Sequence, residues 1–99
     1  MDVIAIFDVG KTNKKFLLFD AGLNIVHNEE KLFAEIHDDD GFESDDIKAI
    51  ELWMRSRLTD VIRLEDYRVR ALNFTSYGAS LMHLDDRGNT VTPLYNYLK

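Results

Sequence analysis

The sequence predicts an α/β fold, in which a mixed sheet of about four strands carries one main helix. Two apolar segments of strand length lie near the start of the chain, with a polar stretch between them. Farther on, apolar residues recur at helical spacing, and another strand-like segment follows. Because a helix between two strands is typical of a crossover connection, we expect the last strand to run parallel to an earlier one.

The first two apolar segments predict a β-hairpin. Val3 to Phe7 is uninterruptedly apolar and mostly β-branched or aromatic, which is typical of a central strand covered on both faces. Phe16 to Phe19 forms the second strand, and the turn-forming stretch Asp20 to Asn24 closes it. A third, more polar strand from Ile25 to Phe33 suits a sheet edge in contact with water.

The middle of the chain predicts a loop and then an amphipathic helix. Acids and a glycine in Ala34 to Asp46 favour the loop. One helix face then carries an apolar stripe of Ile47, Ile50, Met54, Leu58, Val61 and Ile62. We expect Ser44 or Asp45 to cap this helix, and Glu51 to pair with Arg55 one turn later.

The last third of the chain predicts one further strand. Val69 to Thr75 has strand character and runs into Ser76-Tyr77-Gly78. A short apolar segment from Ser80 precedes a turn over Asp85 to Asn89. Thr90 to Leu94 is expected to be extended, because a proline disfavours helix in the residue before it.

Length and composition exclude several classes of protein. With 99 residues, the chain can form one small domain. Its net charge of -6 repels nucleic acid and anionic membranes, and the absence of cysteine excludes disulfides and thiolate zinc sites. The N-terminus has neither a basic region nor an apolar run long enough for a signal peptide or a membrane span. We therefore expect a cytoplasmic protein that binds neither nucleic acid nor membrane.

The polar stretch DVGKTNKK, from Asp8 to Lys15, is the strongest candidate for chemistry. A glycine at position 10 lets the backbone turn tightly and present N–H groups to an anion, and the lysines add positive charge. This pattern predicts a phosphate cradle. Asp8, at the end of a buried strand, is placed to hold Mg²⁺ through the ion's water ligands.

Two other interpretations of this stretch are open. It could be the tip of an ordinary hairpin, polar because it meets water, and the eight residues alone do not decide between tip and cradle. Gly10-Lys11-Thr12 also invites a Walker A interpretation, which requires a glycine five positions earlier and a helix after the loop. Position 5 is Ala5, and a strand is expected after the loop, so the Walker A interpretation is disfavoured.

Other polar and aromatic residues favour structural roles. His37 and the acids of the Asp38–Asp40 run are best explained as a solvated loop, because nothing fixes metal-ligand geometry there. A structural role is favoured for His83, and we expect Trp53 and Met54 to be packing residues.

The order of these segments resembles a known family. An apolar strand that ends in Asp-x-Gly, followed by a polar loop and a second strand, resembles the first phosphate-binding hairpin of the actin-like ATPase superfamily. DGFESDDIKAIELWM, from Asp40 to Met54, resembles the loop and first helix of FGGY carbohydrate kinases, particularly the rhamnulokinase-like ones. FTSYGASLMHLDDRGNTVTPLYNY, from Phe74 to Tyr97, resembles their next strand and sugar-side segment. The match runs in order over nearly the whole chain.

The resemblance implies a partial ribonuclease H-like domain and an ATP-dependent sugar kinase that uses ATP and Mg²⁺. It implies that residues 1–99 are the N-terminal, incomplete part of the first kinase domain, and that the catalytic base lies beyond this chain, so the fragment alone should be inactive. Asp8 would lie near the metal, and Tyr77 with Gly78 would touch the sugar. The ATP phosphates would be lined by Gly10, Lys11, Thr12, Asn13, Lys14 and Lys15.

The sequence also departs from the family pattern. Lys11 stands where many members have a small hydroxyl residue, and Tyr77 and Ala79 lie where other subgroups place side chains that select the sugar. Two alternatives were kept. One is a non-catalytic module that self-associates into a homo-oligomer through an uncovered sheet face and edge. The other is a different actin-like ATPase, against which the segment around Gly78 argues.

Overall fold

The structure is a computed structural model, and it describes residues 1–37, 39–78 and 80–94. Along the chain, the elements are β1 (Asp2–Val9), β2 (Lys14–Phe19), β3 (Ile25–Lys31), β4 (Ile36–His37), β5 (Glu43–Ser44), α1 (Ile47–Arg63) and β6 (Arg68–Ser76). The main sheet has the strand order β3-β2-β1-β6. The predicted α/β fold with a four-stranded mixed sheet and one helix is therefore confirmed.

The pairing of the strands follows from the lengths of their connections. Short turns join β1 to β2 and β2 to β3, and both of these pairs are antiparallel. The helix α1 carries the chain back across the sheet, so that β6 pairs parallel with β1. Both the hairpin and the parallel crossover predicted from the sequence are confirmed.

The core lies on one face of the sheet, beneath α1. Alternate residues of β1 and β2 are buried there, since successive side chains in a strand point to opposite faces. The residues on the other face, such as Ile4 and Ile6, are only half-buried. The prediction that β1 is covered on both faces is therefore wrong for the described residues, because α1 packs on one side of the sheet.

Aromatic side chains join α1 to the sheet. The ring centroid of Phe7 lies 4.7 Å from that of Phe16 and 5.7 Å from that of Trp53. Trp53 also meets Phe33 edge-on at 5.7 Å. The prediction of a packing role for Trp53 is confirmed. Ile62, which was assigned to the same apolar stripe, is exposed, because its neighbour Val61 takes the inward position at this turn of the helix.

The N-cap of α1 is Asp46, whose carboxylate accepts a hydrogen bond from the backbone N–H of Ala49 at 3.2 Å. The prediction of Ser44 or Asp45 as the cap is wrong, because both of these side chains are buried and make other contacts. The predicted ion pair between Glu51 and Arg55 is confirmed, with 3.0 Å between Oε1 and Nη2.

Two segments differ from the expected loop and strand. Within the predicted loop Ala34 to Asp46, the two-residue strands β4 and β5 pair antiparallel. No strand forms over residues 90–94, where extended structure was expected; Thr90 makes a single bridge to Leu84 across the predicted turn. Asp38, Ala79 and residues 95–99, for which the sequence also supported predictions, lie outside the described residues.

Charged residues tie α1 to the outer strand β3. The Nε atom of Arg57 lies 3.1 Å from Oε1 of Glu29, and Nη1 of the same arginine lies 2.7 Å from Asp60. In the described part of the chain, no helix is both long and apolar enough to cross a membrane.

Candidate functional site

The candidate site lies at the edge of the sheet where the parallel strands β1 and β6 end. Val9 and Ser76 are register partners at this edge, and the N–H of Tyr77 donates to the carbonyl of Val9 at 3.3 Å. The chain therefore leaves β1 into the predicted phosphate turn beside the point where it leaves β6 into Tyr77 and Gly78. Ligands of open α/β sheets bind at the carboxyl ends of parallel strands such as these.

Close backbone contact shapes the turn between β1 and β2. A Cβ atom placed on Gly10 would lie 2.7 Å from the carbonyl oxygen of Asn13, closer than real Cβ contacts allow. Glycine is therefore required here for close approach. Thr12 and Asn13 are exposed at the tip of the turn, so their polar groups are accessible to a ligand.

The alternation of the strands divides the predicted site between two faces of the sheet. Asp8 lies opposite Lys15 on β2 and opposite Thr75 on β6. These three residues belong to the face that α1 leaves open, which we call the open face. Lys14 instead shares its face with Phe16 and points towards α1. The structure thus separates Asp8 and Lys15 from Lys14.

Lys14 is a buried cation with a buried partner. Its side chain is 1% exposed, and its Nζ lies 3.3 Å from Oδ1 of Asp45, which is 4% exposed. The same Nζ donates to the carbonyl oxygen of Lys11 at 3.0 Å. The Nζ of Lys11 lies 3.4 Å from Oδ2 of Asp45. One carboxylate therefore holds two lysines of the predicted phosphate turn.

Tyr77 joins the same group. Its hydroxyl donates to Oδ2 of Asp45. The Nζ atoms of Lys11 and Lys14 lie 5.6 and 5.9 Å from the centre of the Tyr77 ring, within the range of cation–π attraction. Asp45 thus connects the β1–β2 turn, the start of α1 and the end of β6. We call Lys11, Lys14, Asp45 and Tyr77 the Asp45 cluster.

The sequence predicts Asp45 only as a cap at the start of the helix, and its place in this cluster was not predicted. The missing signal was in β2, where Phe16 and Leu18 face the core and Lys14 shares their parity. A lysine on a buried face requires a nearby acid, because an uncompensated buried charge is costly. The acid-rich loop before α1 was the available source.

The residues near the turn also suit Mg²⁺. The carboxylate of Asp8 forms no ion pair or hydrogen bond with the side chains that the structure describes, and Mg²⁺ binds through one or two carboxylates together with water and phosphate oxygens. Over residues 1–37, 39–78 and 80–94, no three His, Cys, Asp or Glu side chains come together to hold a metal ion. Among the described residues, Asp8 therefore has a carboxylate that these side chains do not engage and that could take part in holding a metal ion.

An apolar cleft of about 590 Å³ runs between α1 and β6 and ends at Tyr77. Its apolar lining includes Ile47, Met54, Leu58, Leu72, Phe74 and Met82. Polar groups are few there, so the cleft suits packing against another apolar surface better than the binding of a sugar or a phosphate.

No protein-family model and no curated protein matches the chain. Solved structures do match. A ligand-bound xylulose kinase from Lactobacillus acidophilus aligns with a TM-score of 0.79 and 24% identity over 96% of this chain and 19% of that one. A gluconate kinase from the same organism gives 0.78 and 24% over 95% and 19%.

A carbohydrate kinase from Novosphingobium aromaticivorans aligns with a TM-score of 0.82 and 21% identity over 96% of this chain and 20% of that one. At these identities the likeness shows the fold. This chain spans about one fifth of the length of the three structures. The chain therefore has the fold of the aligned one fifth of these carbohydrate kinase structures.

Proposed function

We propose that this chain is the phosphate-binding part of an ATP-dependent carbohydrate kinase of the FGGY type, in its rhamnulokinase-like subgroup. The observation that supports this proposal best is the meeting of the Gly10–Lys15 turn with Tyr77 and Gly78 at the ends of β1 and β6. A kinase needs its phosphate site and its sugar site side by side, because the phosphoryl group must pass directly between them.

The residues at this edge would bind and orient. Backbone N–H groups after Gly10 and the hydroxyl of Thr12 would donate to phosphate oxygens, and Lys11 would add positive charge. Asp8 would hold Mg²⁺, while Tyr77 and Gly78 would contact the sugar. When bound, MgATP supplies the phosphoryl group. In phosphoryl transfer the protein contributes mainly positioning and charge stabilisation, and both depend on a closed, complete site.

Because the chain spans about one fifth of the structures it resembles, we propose that it binds MgATP without turning it over. The kinase would act on a sugar in the cytoplasm, with the catalytic base supplied by residues outside this chain. A coupled assay for ADP, run with a panel of ketoses and deoxysugars, should therefore show no turnover by the chain alone.

Binding can be tested directly on the 99-residue chain. Titration with MgATP should release heat in calorimetry, and it should protect the amides of residues 10–15 from hydrogen exchange. The amides of residues 25–27, at the start of β3, serve as an internal control, because they pair with Leu18 and Phe19 at the end of β2 farthest from the turn. If MgATP gave neither heat nor protection at the turn, the polar hairpin tip would be the better explanation.

Self-association is a second candidate function, favoured by the exposure of β6. Every residue of this edge strand except Val69 is exposed, and the apolar cleft lies beside it. Exposed strand edges pair readily with other strands. Size-exclusion chromatography with light scattering should show a dimer at micromolar concentration, whereas a clean monomer would count against this function.

A further inference from the structure

The Asp45 cluster carries an excess of positive charge. Lys11 and Lys14 both form ion pairs with Asp45, and no other acid in the described part of the chain pairs with either lysine. A single carboxylate can neutralise one of the two ammonium groups. The cluster therefore keeps about one positive charge beside the β1–β2 turn, in surroundings that screen it less than bulk water would.

The two lysines differ in exposure and in bonding. Lys14 is almost completely buried, and it binds both Asp45 and the carbonyl oxygen of Lys11. The side chain of Lys11 is 22% exposed, and Asp45 is its one hydrogen-bond acceptor in the described part of the chain, at 3.4 Å. Removing Lys14 from Asp45 would leave a buried charge unpaired, whereas Lys11 can leave Asp45 for a ligand while its ammonium stays near water.

We propose that Asp45 is a positioning residue for the phosphate turn: it holds Lys14 inside the protein and passes Lys11 to a polyphosphate anion. Lys14 then has a structural role, in which its bond to the carbonyl of Lys11 fixes the turn, and Lys11 is the lysine that contacts the ligand. Asp45 keeps Lys14 and the hydroxyl of Tyr77 as partners throughout. This inference rests on the proposed phosphate site and deepens it.

Nuclear magnetic resonance of the lysine ammonium groups tests directly whether Lys11 contacts the anion while Lys14 does not. The chain would be labelled with ¹⁵N and titrated with inorganic tripolyphosphate, which needs no adenosine site. We expect the ammonium signal of Lys11 and the amides of residues 10–13 to shift, while the ammonium signal of Lys14 stays in place. An equal shift of the Lys14 ammonium, or no shift of the Lys11 ammonium, would overturn the proposal.

The Asp45→Asn variant separates positioning from simple charge. If Asp45 acted only through its charge, its loss would tighten tripolyphosphate binding, because the site would become more positive. If it positions the turn, binding should weaken by about tenfold, comparable to the loss of one charge-assisted contact. Glu43→Gln is the matched control, since it removes an exposed acid from the same loop and should leave binding unchanged or slightly tighter.

The lysine variants complete the test. Lys11→Gln should weaken tripolyphosphate binding by about tenfold, because it removes one charge-assisted contact. Arg63→Gln, which removes an exposed positive charge at the end of α1 opposite Asp45, should change it by less than about twofold, since distant surface charges are well screened. Asp45→Asn binding as tightly as the unmodified chain would overturn the proposal, and the ammonium spectra still decide if that variant does not fold.

The outcome also separates this inference from the phosphate site itself. If the amides of residues 10–13 respond to tripolyphosphate while the Lys11 ammonium does not, Lys11 does not leave Asp45 for the anion. The inference is then wrong and the phosphate site stands. If those amides do not respond at all, both fail.

Discussion

Gly10 lies at the point where the β1–β2 turn allows no side chain. We expect Gly10→Ala to destabilise the chain by about 1–3 kcal/mol, because the new methyl group would press on the carbonyl of Asn13 at 2.7 Å and the backbone would have to move. Urea unfolding followed by tryptophan fluorescence would measure the loss. The same displacement should weaken MgATP binding.

Gly78→Ala is the matched control for stability. Apart from its chain neighbours, a Cβ atom on Gly78 would have no atom of the described residues within 4 Å, so the substitution adds a methyl group without a clash there. Its free energy of unfolding should stay within about 0.5 kcal/mol of the unmodified chain. Equal losses for the two variants would show that the close contact at Asn13 does not decide the need for glycine at position 10.

Asp20 stabilises the β2–β3 turn in a pH-dependent manner. The backbone N–H and side-chain amide of Asn24, together with the N–H of Gly22, donate to its carboxylate and hold its pKa below the ordinary value. A carboxyl pKa that is lower in the folded chain stabilises the fold above the unfolded pKa, and this contribution is lost as pH falls through the folded pKa. Asp20→Asn should therefore reduce the loss of stability in acid, as measured by urea midpoints from about pH 6 to about pH 2.

Asp85 provides an independent second case. It accepts hydrogen bonds from the N–H groups of Asn89 and Arg87, which also lower its pKa. Asp85→Asn should likewise reduce the loss of stability that the chain shows as the pH falls. An unchanged loss of stability in acid in both variants would mean that these turns do not contribute to the stability of the fold.

Residue identity predicted the tight β1–β2 turn better than the contacts of its side chains. The need for glycine at position 10 followed from a tight turn between two strands, and the structure supplies the contact that requires it. Asp45 could not be assigned in the same way, because it lies 31 residues from Lys14 and the loop before α1 offers several acids. Which of them faces Lys14 depends on how α1 docks on the sheet, and local sequence does not encode that docking.

At the scale of elements, the sequence pattern predicted the helix and the long strands and missed the two-residue strands. The apolar stripe of α1 extends over several turns, so its inward face could be assigned, and the apolar runs of β1 and β2 were long enough to be identified as strands. The strands β4 and β5 have two residues each, too few for any alternation to show. The cap of α1 was misassigned because three polar residues, from Ser44 to Asp46, all suit an N-cap by type.

Trp53 holds α1 on the sheet. It is 7% exposed and packs edge-on against Phe7 and Phe33, so Trp53→Ala would remove the aromatic contacts that join the helix to the sheet. We expect it to destabilise the chain by about 3–5 kcal/mol, which is enough to unfold a small domain of ordinary stability. Loss of helical circular dichroism on urea titration would report the change, since the variant lacks the fluorescent side chain.

Leu52→Ala is the control for this prediction. Leu52 precedes Trp53 on α1 but is 70% exposed, so truncation removes few contacts, and alanine favours helix. We expect a change within about 0.5 kcal/mol. A loss as large as that of Trp53→Ala would show that α1 packs on the sheet through a different face.

At the scale of the whole molecule, the sheet has one covered face and one open one. The continuous apolar character of β1 predicted cover on both faces, and the open face bears the half-buried side chains of Ile4, Ile6, Leu17 and Phe19. A strand pattern indicates that a surface should be covered without saying which part of the protein covers it. The matched kinase structures are about five times longer than this chain.

The exposed edge of β6 leads to a register-specific prediction for self-association. If two copies pair β6 antiparallel about Leu72, Arg70 of each copy faces Phe74 of the other, and no two arginines are opposed. In a register centred on Arg70, the Arg70 residues of the two copies would lie opposite each other, and like charges directly opposite are destabilising. The Leu72-centred register is therefore the expected one.

Charged substitutions at Leu72 test this register. Leu72 is exposed, so the Leu72→Lys and Leu72→Glu variants should fold, and each alone should be monomeric, because two like charges would meet at the twofold axis. Mixing the two variants should restore the dimer in light scattering, since opposite charges then face each other. A dimer in either variant alone would place the contact elsewhere. Monomers in the mixture would show that β6 does not pair about Leu72.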